Sequence, residues 1–188
     1  MEYTPHGLGR QAAASAAPRS RNSGALAGTG LFDARALRDA LGRFATGITI
    51  VTARAPKGEL AGVTANSFCS VSLKPPLVLW CLAKTAPSQS VFTKATHFAI
   101  HVLAENQAAL SARFSRPSKD KFAGLAVTAG LGGTPLLDGV AALFECRKVH
   151  RYEGGDHLII VGQVERYRHA ERAPLLFHSG RYCVVGDL

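Results

Sequence analysis

The sequence predicts a mainly β domain in which antiparallel strands close into a barrel with a few flanking helices. Two observations lead there: strand-length apolar and β-branched runs outnumber helical patterns, and the turns joining them are short. Closure would remove the sheet's exposed edges. At 188 residues and 47% hydrophobic composition, the chain has apolar side chain enough for one core and too little length for two full domains.

Residues 1–30 are rich in Ala, Gly, Ser and Arg and show no hydrophobic period, so they are expected to be a disordered leader. The domain is expected to occupy residues 31–188. Asp33 is placed to cap a helix in which Leu37, Leu41 and Phe44 recur at four- and three-residue steps, marking one buried face that ends near Gly47. Ile48 to Thr52 is a β-branched run, Pro56-Lys57-Gly58 a turn, and Ala61 to Phe68 a returning strand. Further strands are expected at Ser70–Leu73, Leu77–Leu82, Phe98–Leu103, Val140–His150 and His157–Tyr167. Helices are expected from near Ser88 and over Glu105–Phe114.

Charge and composition narrow the function classes. The chain carries 22 Lys+Arg against 13 Asp+Glu, a formal +9, and the leader's three arginines and one acid leave +7 on residues 31–188. Such a balance suits an anionic partner: nucleic acid, an acidic membrane face or a phosphorylated small molecule. No run approaches the roughly 18 apolar residues of a spanning helix, and Met1 to Gly30 holds no compact apolar segment of a secretory signal. Cytoplasm is the expected compartment. Cys69, Cys81, Cys146 and Cys183 are far apart in mostly apolar surroundings, which reads as reduced core thiols. Nucleic acid is disfavoured because Trp80 and most phenylalanines lie in apolar patterns, with no basic stripe interleaved with exposed aromatics.

Three segments are able to carry chemistry. Gly62 to Phe68 sets hydroxyls and an amide among small residues at a strand end, which suits either a planar or phosphorylated ligand or an ordinary polar turn. Cys81 to Ser90 leaves a strand and starts a helix beside Lys84, which suits either a phosphate or simple capping by Ser88. Tyr152 to Gly162 places His157 at the start of an apolar strand after a glycine turn, either to bond a substrate or as a turn histidine. No metal site is expected: His97 and His101 lie four apart in a strand, about 13 Å, too far for one ion. Neither a dinucleotide glycine fingerprint nor a phosphate-binding P-loop occurs.

Taken in order, Arg43 to Thr52, Gly62 to Phe68, Ser70 to Leu79, Phe98 to Gln107, Gly155-Asp156-His157, Pro174 to Phe177 and Gly180-Arg181-Tyr182 resemble the short-chain flavin reductase family. These are the reductase components of two-component flavin-dependent monooxygenases. The resemblance implies an FMN-binding split β-barrel, antiparallel and Greek-key-like, that forms a homodimer with flavin in a groove between the copies. It implies that Thr64, Ala65, Asn66 and Ser67 contact flavin, that Cys81, Leu82 and Ala83 line its ring, and that Ser88 and Gln89 stand on its phosphate side. Lys121 and Phe122 approach flavin from beyond the second helix, His157 positions the nicotinamide, and Tyr182 shapes the same pocket. His101 departs from the family, which often has Asn there.

The activity implied is hydride transfer from NADH to free flavin, FAD ahead of FMN. Diffusible reduced flavin then serves a separate monooxygenase, and the protein supplies positioning rather than a nucleophile. Alternatives are a non-catalytic flavin- or haem-binding split barrel and, further off, a pyridoxamine-phosphate oxidase-like enzyme or a nucleic-acid-binding barrel.

Overall fold

The computed structural model describes residues 33–118 and 120–186, so the leader expected over residues 1–30 lies outside the described residues. The element order is α1 (Ala34–Leu41), β1 (Thr46–Gly47), β2 (Thr49–Arg54), β3 (Leu60–Ala65), β4 (Cys69–Leu73), β5 (Pro76–Ala83), α2 (Gln89–Lys94) and β6 (His97–Val102). It continues with α3 (Ala108–Ser115), β7 (Val127–Ala129), β8 (Pro135–Leu137), β9 (Ala142–Gly154), β10 (His157–His169), β11 (Leu176–His178) and β12 (Arg181–Cys183).

Seven strands form one antiparallel sheet in the order β3-β2-β6-β9-β10-β5-β4. Strands from β3 through to β5 share one core: Val51, Ala61, Trp80, Phe98, Ile100, Cys146 and Ile160 pack together, so the sheet curls on itself. Its ladder nevertheless stays open, with β3 and β4 as the two edges. The corner between those edges is tied to β5 by side-chain bonds from Ser67 instead of a ladder.

The central strands explain their sequences. Thr49–Ala53 and Phe98–His101 are buried on both faces, which is why they read as continuous apolar runs rather than alternating ones. Inside, Trp80 meets Phe92 edge-on at 4.9 Å and Phe98 at 6.0 Å. Outside, α3 and β8 cover a second cluster that includes Ile50, Ala99, Leu103, Phe114, Leu137 and Leu143.

The first helix differs from expectation. Asp33 caps it, its side chain accepting from Arg35 N–H at 2.8 Å, but the helix ends at Gly42, and Thr46–Gly47 pairs with β11 as a strand. Leu37, Leu41 and Phe44 are 45%, 67% and 79% exposed, so the stripe does not face a core within the described residues. The thiols also differ. Cys146 is fully buried, and burial pushes its pKa up to about 12, whereas Cys69 is exposed and Cys81 and Cys183 are partly so. All four are free. No helix among the described residues is long and apolar enough to cross a membrane.

Candidate functional site

Strand β3 is the spine of the site, and its two faces divide the labour. Ala61, Val63 and Ala65 turn to the inner core, whereas Gly62 and Thr64 turn towards α3. A Cβ at Gly62 would lie 2.3 Å from Phe114 Cε1, so glycine is what lets the helix sit directly on the strand. Thr64 Oγ1–H donates to the Ser111 carbonyl at 2.7 Å, and Ser111 Oγ bonds the Tyr182 hydroxyl at 2.8 Å.

Beyond β3 the chain turns, leaving Asn66 exposed and Ser67 tied to β5. Ser67 Oγ accepts from Cys81 N–H at 2.9 Å and donates to the Cys81 carbonyl at 3.2 Å. Burial raises the Cys81 pKa, only partly offset by the Ser67 bond, so its sulfur is a thiol and not a thiolate at neutral pH. Leu82 is buried in the core, and Ala65 packs against it partly buried. Cys81 and Ala83 take the opposite face of β5.

An open cleft of about 740 Å³ lies between β3, the segment 86–88, α2 and the residues following α3. Of the predicted residues, Ser88, Lys121 and Phe122 line it, joined by Gly62, Val91 and Arg116. Ser88 occupies the N-cap of α2, yet its hydroxyl makes no capping bond. Gln89 begins the helix outside the lining. Lys121 Nζ donates to the Gly62 carbonyl at 3.1 Å and to the Phe114 carbonyl at 2.7 Å, and partial burial lowers its pKa. One ammonium thus ties the cleft wall to both β3 and the end of α3. Lys121→Met is expected to destabilise the fold by about 1–2 kcal/mol, two charged hydrogen bonds discounted for their exposure. Urea denaturation at neutral pH measures it, and an unchanged midpoint would show the tie to be idle.

His157 opens β10 opposite Ala83, away from the cleft lining. Its Nδ1 lies 2.7 Å from Asp156 Oδ1, and this bond holds the Asp156 carboxyl below its ordinary range. The same hairpin end is clipped to β5's exit: Lys84 N–H donates to the Asp156 carbonyl at 3.0 Å, and Lys84 Nζ pairs with Glu153 at 2.5 Å. The Lys84 hydrogen bond and charge depress the Glu153 carboxyl.

Sequence reasoning missed two members of this constellation. Ser111 lies three residues before Phe114 on the buried face of α3, and a lone hydroxyl within an apolar helical stripe was its one signal. Arg116 sits in the polar stretch after α3, where no periodicity marks it. His101 is no ligand: it is fully buried, with Nδ1–H donating to the Ile50 carbonyl at 2.9 Å and Nε2 accepting from Leu137 N–H at 3.1 Å. Among the described residues no group of three His, Cys, Asp or Glu side chains is placed to hold a metal.

The family model described as a flavin reductase like domain matches residues 41–186. The chain belongs to the flavin reductase-like family. A relative within it, the FMN reductase (NADH) SmoA of Agrobacterium fabrum, is 48% identical over 80% of this chain and 85% of its own length. The reductase component of a flavin-dependent trigonelline monooxygenase from Acinetobacter baylyi is 46% identical over 79% of this chain. This chain spans 48% of that relative's length. Among solved flavin reductases, the NADH:FAD oxidoreductase SgcE6 of Streptomyces globisporus, crystallised with NAD and FAD fragments, superposes with a TM-score of 0.78. The identity is 39%, covering 82% of this chain and 93% of that one.

Proposed function

We propose that this protein reduces free FAD, with FMN as a second acceptor, and releases the product to a separate flavin-dependent monooxygenase. It is an NADH-dependent flavin reductase. The observation that carries the reading is the open cleft, whose volume of about 740 Å³ falls in the range of small-molecule sites.

The cleft's residues fit a flavin. Val63, Val91, Pro87 and Phe122 offer apolar wall to a planar ring system, while Ser88, Lys121 and Arg116 offer hydroxyl and positive charge to a phosphate. When bound, flavin supplies the hydride acceptor and the nicotinamide the donor, so the chain contributes position and field. Thr64 and Ser67 hold the β3 end in place through their bonds to Ser111 and Cys81. His157, committed through Nδ1 to Asp156, keeps Nε2 free to accept from an amide N–H such as the nicotinamide carboxamide. The +9 net charge draws both anionic dinucleotides towards the protein. A second copy is expected to complete the groove, and the exposed apolar Leu41, Phe44 and Leu73 are consistent with a surface that a partner covers.

The test is NADH and NADPH oxidation with FAD, FMN and riboflavin in turn. Fastest turnover is expected with NADH and FAD, and flavin is expected to separate from the protein on gel filtration, which also reads the oligomeric state. Binding of flavin with no pyridine-nucleotide oxidation would replace the enzyme reading with a binding-protein one. His157→Ala is expected to raise the KM for NADH about fivefold, the loss of one hydrogen bond, and unchanged NADH parameters would remove His157 from the site.

A further inference from the structure

We infer that Ser111 is a positioning residue that locks Tyr182 and the β3 end into one rigid unit. This rests on the proposed flavin-reductase reading, together with the family resemblance, which implies that Thr64 contacts flavin and that Tyr182 shapes the same pocket. Ser111 is fully buried on α3 and belongs to none of the segments that carry the family resemblance. It nevertheless serves two residues of the site at once: its carbonyl accepts from Thr64 Oγ1–H at 2.7 Å, and its hydroxyl bonds the Tyr182 hydroxyl at 2.8 Å.

The second bond matters because of where Tyr182 comes from. β12 belongs to a small sheet, β1-β11-β12, whose ladder is separate from that of the seven-stranded sheet carrying β3. The Tyr182 ring meets Phe177 of its own sheet edge-on at 5.8 Å and remains 42% exposed. Its hydroxyl is the atom that reaches across to α3. A tyrosine tethered at both ends presents its open face at a fixed place, whereas one tethered only at its base samples other rotamers. Ser111 therefore sets the position of the Tyr182 ring relative to Thr64, 118 residues away in the chain.

The experiment compares wild type, Ser111→Ala, Tyr182→Phe and the double variant in steady-state assays with FAD and saturating NADH. Each single variant is expected to raise the KM for FAD about threefold to tenfold, the usual worth of one partly buried hydrogen bond, with kcat held within about twofold. The double variant is expected to be no worse than either single one, because both remove the same bond. Additive effects, or a KM for FAD unmoved in both single variants, would overturn the proposal. Tyr182→Phe leaves the helix untouched, so it decides the matter even if Ser111→Ala fails to fold. A wild-type protein that oxidises no NADH with any flavin would instead overturn the functional reading, and this inference with it.

Discussion

Gly62→Ala is expected to destabilise the protein by about 2–3 kcal/mol, the upper part of the range for overpacking a tight contact, and to raise the KM for flavin at least tenfold. The added Cβ would fall 2.3 Å from Phe114 Cε1 and 2.5 Å from Cδ1, with Phe122 Cζ at 3.2 Å. The Phe114 ring has no room to yield. Phe114 is fully buried among Ile50, Ala99 and Leu103, and Phe122 packs on it edge-to-face at 5.2 Å. The relief available is for α3 to lift from β3, and that movement stretches the bonds crossing the same seam: Lys121 to the Gly62 carbonyl and Thr64 to the Ser111 carbonyl. Stability and ligand affinity should therefore fall together. Thermal melting should report a drop of roughly 5–10 °C for a domain of this size. Gly62→Ala combined with Phe114→Leu should recover part of it, since the smaller side chain makes room. A single variant as stable as wild type would mean that α3 does not rest on β3 at Gly62.

That seam also marks the limit of what the sequence discloses. The strands β2, β5, β6, β9 and β10 were legible because burial on one or both faces writes itself as β-branched and apolar runs. The α1 stripe of Leu37, Leu41 and Phe44 showed that a face needs cover, but a hydrophobic period says nothing about what covers it. β7 and β8, after α3, went unread as strands, because each is three residues long and shaped by its neighbours. Of the site, Thr64 to Ser67 and His157 announced themselves by residue type. Ser111 did not, because its two bonds join it to partners 47 and 71 residues distant.

His101 supplies the second large effect, a loss of stability in mild acid. Burial lowers its pKa from 6.5 to about 4, with the Ile50 carbonyl bond opposing the shift. The neutral ring is the form that fits, because Nδ1–H must donate to Ile50 while Nε2 must accept from the Leu137 N–H. A proton on Nε2 would face that N–H, donor against donor, and would strip β8 from the outer face of β2 and β6. The sign follows from linkage: between pH 6.5 and 4 the unfolded chain binds a proton at this ring and the folded chain does not, so acid favours unfolding. Stability from this group is whole above pH 6.5 and falls by roughly 3 kcal/mol by pH 4, at about 1.4 kcal/mol per unit. Urea midpoints measured across that window should show the decline. His101→Asn retains one donor and one acceptor without titrating, so it should flatten the profile between pH 6.5 and 4 even where it lowers stability at neutral pH. A wild-type profile already flat in that window would mean the ring is not held neutral between β2 and β8. A flat profile for the Asn variant alone ties the acid sensitivity to this one side chain.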